Sequence, residues 1–162
     1  MIVLGIDPGL TGAWALVRDK HLLTIGDLPS VEFSAGRVKR KVDAVQLSLL
    51  VRNLRVHWTD GDDLVACVEK VGAMPGQGVS GMFSLGNTAG VIEGVLTAHD
   101  VPVHYVTPRA WTESQRAGKD KGFSVAACNA NWPSMAANWT LKKHHNRCDA
   151  ALIAKHGWEV LA

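Results

Sequence analysis

Met1-Ile2-Val3-Leu4-Gly5-Ile6-Asp7-Pro8-Gly9 opens the chain, and the fold follows from how these residues are read. Met1–Ile6 is an apolar, β-rich run with the composition of a buried strand. Asp7-Pro8-Gly9 ends it, because Pro and Gly punctuate the chain and Asp bonds local backbone in turns. Working outward, Ala13–Val17 is a second strand after a short Gly-containing turn, and His21–Leu28 is a third. Three consecutive strands with short turns predict an antiparallel meander.

The period then changes. Leu47, Leu50, Val51, Leu54 and Trp58 recur at helical spacing. Asp43, with Gln46 three residues later, resembles an N-terminal capping arrangement, and the basic turn before it is also compatible with helix. Leu64–Glu69 reads as a buried strand and Val71–Val79 as a Gly-rich loop. A second helix carries Met82, Leu85, Ala89, Ile92 and Leu96 on one face, followed by a strand over Pro102–Val106. Short helical pieces are expected at Pro108–Gln115 and Ser124–Asn131, and a last helix from about Lys143 to Lys155. The order βββ-α-β-α-β-α predicts an α/β fold. Its five-stranded mixed sheet combines a three-strand antiparallel meander with two parallel strands, flanked by helices. That order matches the ribonuclease H-like architecture. With no repeat or linker evident, residues 1–162 are expected to form one domain.

Hydrophobic residues make up 47% and charged residues 20%, a globular balance that argues against disorder. No apolar run is long enough to cross a bilayer, and the N-terminus lacks a signal-peptide pattern. A cytoplasmic protein without a membrane partner is expected, in the host cytoplasm if phage-encoded. Cys67, Cys128 and Cys148 lack paired spacing and read as reduced thiols. The net charge of +2 decides nothing about nucleic acid, so local clusters matter. These are Arg37, Lys39, Arg40 and Lys41; Arg116, Lys119 and Lys121; and Lys142, Lys143, His144, His145 and Arg147. Each alone reads as solvated surface.

Four side chains stand out as candidate chemistry. Asp7 ends the first strand and by itself reads equally well as a turn aspartate. Glu69 ends the run Leu64–Glu69, where a buried carboxylate is costly unless paired; Lys70 is the bland partner. Strands one and four are expected to be adjacent and parallel, so both carboxylates emerge at one end of the sheet. His145 and Asp149 share a face of the last helix at i, i+4 spacing, with Asn146 close to it. Taken alone, that pair reads as an exposed helix end. Together, the four converge on one spot suited to two Mg²⁺ ions, with Asp7 as the central, bridging ligand. A histidine in the set makes Mn²⁺ plausible as well.

Gly5-Ile6-Asp7-Pro8-Gly9-Leu10-Thr11-Gly12-Ala13 resembles the opening motif of the RuvC family of Holliday junction resolvases. Val68-Glu69-Lys70-Val71 resembles the family's second acidic motif, and Val71–Gly78 looks like phage-type members. Asn146-Arg147-Cys148-Asp149-Ala150-Ala151-Leu152-Ile153-Ala154 resembles the final motif. The set is ordered and spans nearly the whole chain. The resemblance implies a homodimer whose subunits each cut one of two opposed strands of a four-way junction, a branched DNA. It carries Asp7, Glu69 and Asp149 over as metal ligands. It leaves the fourth between His145 and Asn146, of which His145 is the better ligand.

The resemblance also marks DNA contacts. Lys119 and Lys121 lie in a stretch similar to a lysine-bearing DNA-contacting loop, and Arg37–Lys41 is a further candidate for phosphate contact. Met74, apolar on a Gly-rich loop beside Glu69, is a candidate wedge for the junction centre. Pro108-Arg109-Ala110-Trp111 also resembles a family feature, with Trp111 read as core. Gly86, Gly90 and Gly94 repeat every four residues, which suggests close packing against either the sheet or a second subunit. Three alternatives remain open at this level. One is a related nuclease acting on RNA–DNA hybrids or other branched DNA. A second is an actin-like nucleotide-binding domain, whose Asp-x-Gly-x-Thr loop Asp7–Thr11 also fits. The third is an inactive DNA-binding relative.

Overall fold

The computed structural model describes residues 1–32, 40–59, 61–72, 76, 78–115 and 121–162, without the Lys121 side chain. The meander forms as expected: β1 (Ile2–Asp7), β2 (Ala13–Arg18) and β3 (His21–Asp27) pair antiparallel. A two-stranded hairpin, β4 (Ser30–Glu32) and β5 (Arg40–Val42), follows. The basic segment before the first helix therefore ends in a strand, not a helical turn. Three-residue strands are too short for a period of two to register in sequence. Next come α1 (Ala44–Leu54), β6 (Leu64–Glu69), α2 (Val79–Ala98) and β7 (Val103–Val106). The chain closes with α3 (Pro108–Ser114), α4 (Lys121–Asn131) and α5 (His145–Leu161). The main sheet has the order β3-β2-β1-β6-β7, with β1, β6 and β7 parallel. Asp43 caps α1 as expected, its carboxylate accepting from the Val45 and Gln46 amides at 3.0 and 3.1 Å.

Strand alternation divides the core in two. Ile2, Leu4 and Ile6, with Leu64, Ala66 and Val68, face α1 and α2. Val3 and Cys67 face α5, which buries Ala150 to Ala154 against the sheet. Gly5 permits that approach. A Cβ there would overlap the Ala150 carbonyl and the Ala154 backbone nitrogen, and would come within 2.6 Å of the Ala154 methyl. Farther along the same line, a Cβ on Gly157 would lie 2.7 Å from Cys67 Cβ. Helix α5 thus runs antiparallel to β1, with its first turns at the carboxyl end of that strand. Gly5→Ala is expected to lower stability by about 1–3 kcal/mol, the typical cost of overpacking, read from chemical denaturation.

All three cysteines are free and buried. Among the described residues, no helix is long and apolar enough to cross a membrane.

Candidate active site

Asp7 closes β1 and Glu69 closes β6. The parallel register ends with Ile6 opposite Val68, so Asp7 and Glu69 are the next pair along. Adjacent strands lie about 4.8 Å apart. Because Ile6 and Val68 face α1 and α2, alternation turns Asp7 and Glu69 toward α5. Asp149 stands on α5 between Cys148 and Ala150, which are packed on that face of the sheet. Its negative charge is felt at Glu69. The Glu69 carboxyl is held above its ordinary value, first by burial and additionally by Asp149, while a hydrogen bond from Trp111 opposes the shift.

That hydrogen bond was not legible in the sequence. Trp111 Nε1 donates to Glu69 Oε2 at 2.6 Å, from a ring that is almost fully buried. Trp111 is in the core as expected, and it also carries a polar contact to the candidate site. Helix α3 aims it there. Thr107 caps the helix by accepting from the Ala110 amide at 3.2 Å, and Pro108 occupies its first turn, where no amide donor is needed.

His145 and Asn146 begin α5 with different duties. Asn146 donates its side-chain amide to the Thr11 carbonyl, tying the turn after β1 to the helix. His145 Nδ1 lies 2.9 Å from the Lys142 carbonyl. A carbonyl only accepts, so Nδ1 carries a proton, and Nε2 is the nitrogen left for another partner. Arg147, from the basic cluster, is turned to structure. It holds both Asp27 oxygens, at 2.6 and 2.9 Å, and the Asn138 carbonyl at 2.8 Å. Arg147→Ala is expected to cost about 1–3 kcal/mol in thermal or denaturant unfolding, the range for charge-assisted hydrogen bonds.

The carboxylates of Asp7, Glu69 and Asp149 are hard oxygen donors on one edge, suited to Mg²⁺ or Mn²⁺. Among the described residues, no three His, Cys, Asp or Glu side chains are drawn together closely enough to hold a metal ion as they stand. Side-chain rotation would have to complete such a site. The donor chemistry nonetheless fits: Glu69 is partly buried beside a second negative charge, and its partner Trp111 is neutral. The cost of that arrangement predicts a pH effect. A carboxyl with a raised folded value binds more protons folded than unfolded, so stability falls as pH rises from about 4.5, the unfolded value, through the folded one. Glu69→Gln removes this penalty. In EDTA, its melting temperature should exceed that of the parent by a margin that grows from pH 4 to pH 8.

No protein-family model matches the sequence, and no curated protein matches it. The structure does match solved ones. Over 99% of this chain and 96% of the other, it is similar to Thermus thermophilus RuvC in complex with a Holliday junction substrate, with a TM-score of 0.67 and 16% identity. The fold is that of RuvC. A second Thermus thermophilus RuvC structure matches over the same shares of the two chains with a TM-score of 0.55 and 13% identity. The fowlpox virus Holliday junction resolvase matches over 100% of both chains with a TM-score of 0.53 and 14% identity.

In this RuvC fold one of the segments expected to touch DNA, the one that carries Arg40 and Lys41, follows a strand that ends at the carboxylate edge. β3 ends there, since Asp27 pairs with Ala13 and Ala13 with Asp7. The hairpin β4–β5 follows, joined to the same turn by the Leu28 amide donating to the Gly12 carbonyl at 2.8 Å. Arg40 is exposed on β5, its guanidinium resting on Ser30 and Glu32, and Lys41 beside it is exposed. Lys121 opens α4. Arg37, Lys39, Met74 and Lys119 lie outside the described residues.

Proposed function

We propose that the chain is a structure-selective DNA endonuclease that resolves four-way Holliday junctions by paired, metal-dependent phosphodiester hydrolysis. The observation that carries this reading is the placement of Asp7 and Glu69 at the ends of adjacent parallel strands, on the face covered by the helix that bears Asp149, in a RuvC fold. It is supported by what is known of the similar proteins: one was seen with a Holliday junction substrate and another is a Holliday junction resolvase.

In this reading Asp7, Glu69, His145 and Asp149 hold two Mg²⁺ ions per site, with Mn²⁺ able to replace them. Bound, such ions activate a water and stabilise the leaving oxygen of the phosphodiester. The chain's own residues supply the frame. Asp7 stands beside Glu69 and would be the central ligand. His145 offers Nε2 because Lys142 holds its other nitrogen, the arrangement that usually orients a ligating histidine. Asn146 donates its amide to Thr11 and holds the turn after β1, while His145, the better ligand type, is taken as the fourth ligand. Arg37, Lys39, Arg40, Lys41, Lys119 and Lys121 contact phosphates, and Met74 wedges into the junction centre.

The same reading requires a homodimer, and α2 offers the surface. Val79 and Phe83 are 79% and 78% exposed, and Gly86, Gly90 and Gly94 continue the same face. Among the described residues, a Cβ on any of the three glycines would meet nothing within 4 Å. The stripe therefore does not serve packing on the chain's own sheet, and a second α2 is the natural occupant.

Cutting of a labelled four-way junction, a linear duplex and an RNA–DNA hybrid, compared at one enzyme concentration, tests the substrate class. Paired symmetric nicks in the junction alone are expected. Preferential cutting of the hybrid would move the function to another nuclease of this fold.

A further inference from the structure

The geometry points to Trp111 as a positioning residue that fixes how Glu69 meets a metal ion and so sets which ion the site prefers. The inference rests on the metal-site reading above and goes beyond it. Trp111 Nε1 donates to Glu69 Oε2 at 2.6 Å, and an oxygen engaged in this way leaves the other as the better donor to a cation. A carboxylate held in this way favours binding through a single oxygen. Mg²⁺ and Mn²⁺, which take few oxygens in tight octahedra, suit that mode, whereas Ca²⁺ takes six to eight ligands and readily accepts both oxygens of one carboxylate.

The helix that carries the indole is itself held. Ser114 donates to the Trp111 carbonyl at 3.1 Å and lies 2.6 Å from His156 Nδ1 on α5. Next to it, the Gln115 side chain donates to Glu159 at 2.6 Å and accepts from Lys155 at 2.7 Å. Helix α3 is thereby pinned to α5, the helix that bears Asp149. One rigid unit thus carries both the donor to Glu69 and the second carboxylate. Pinning of this kind is what lets an outer hydrogen bond orient a ligand.

Trp111→Phe keeps a buried ring and removes the donor. Calorimetric titration of the purified protein should show Mn²⁺ binding weakened by about 10–100-fold, the usual effect of losing an outer-shell partner. Ca²⁺ binding should change much less, so the preference for Mn²⁺ over Ca²⁺ narrows. An unchanged preference, whether both affinities hold or both fall together, overturns the inference. A second measurement does not depend on this variant folding. In indole N–H NMR spectra of the parent protein, which has six tryptophans, Glu69→Gln should move one signal and Mg²⁺ should move the same one. No indole signal responding to either change also overturns the inference. A parent protein that binds no divalent ion would overturn the metal site itself. One that binds normally, with Trp111→Phe indistinguishable from it, removes the role of Trp111 alone.

Discussion

Asp7→Asn should reduce junction cleavage by at least ~10³-fold while leaving junction binding within about twofold. Metal stabilisation of a phosphodiester transition state amounts to several kcal/mol, and each ~1.4 kcal/mol is tenfold in rate. Asp7 ends the central strand, beside Glu69 on the next strand and facing the helix that carries Asp149. Removing its charge takes away the ligand proposed as central. Asparagine keeps the shape and one carbonyl oxygen, so the turn through Pro8 and Gly9 should persist. In the proposed reading DNA affinity comes from phosphate contacts made elsewhere, so it should also persist. Single-turnover cleavage in Mg²⁺ and gel-shift binding without Mg²⁺ separate the two effects. A variant that keeps a tenth of the parent rate contradicts the assignment of Asp7.

Gly90→Glu should weaken self-association by at least ~100-fold without harming the protomer. Position 90 lies on the exposed face of α2 with open space around it, and glutamate favours helix over glycine by several tenths of a kcal/mol. The isolated subunit should therefore be neutral to the change or slightly stabilised. In a helix pair packed along Gly86, Gly90 and Gly94, the same side chain brings an unpaired charge into close contact, which costs several kcal/mol. Sedimentation should show monomers at concentrations where the parent is dimeric. Junction products should shift from paired to single nicks. Identical sedimentation of the two proteins would take α2 out of the interface.

Much of this was legible in local sequence. An apolar run closed by Asp7-Pro8-Gly9 and another closed by Glu69 define two strands with carboxylates at their ends, and parallel pairing then makes them neighbours. The helix bearing Asp149 was visible from its apolar residues, although it runs on to Leu161, past the expected end near Lys155. What the sequence withheld involves distance or direction. The Trp111–Glu69 bond joins residues far apart in the chain, and an indole patterned as core gives no sign of its N–H partner. Arg147 read as one member of a basic cluster until the fold brought Asp27 to it from β3. The glycine stripe on α2 was plain, but its direction was not. Of the expected face, Ile92 and Leu96 are buried, while Met82, Leu85 and Ala89 are only partly covered.

The central claim is that these carboxylates form a metal-dependent junction nuclease. Its most direct test is an end-labelled four-way junction incubated with the purified protein in Mg²⁺, in Mn²⁺ and in EDTA, with products mapped to the nucleotide. The account predicts symmetric nicks on two opposed strands in either metal and none in EDTA. Cleavage that persists in EDTA, or an intact junction in both metals despite tight binding, would contradict it.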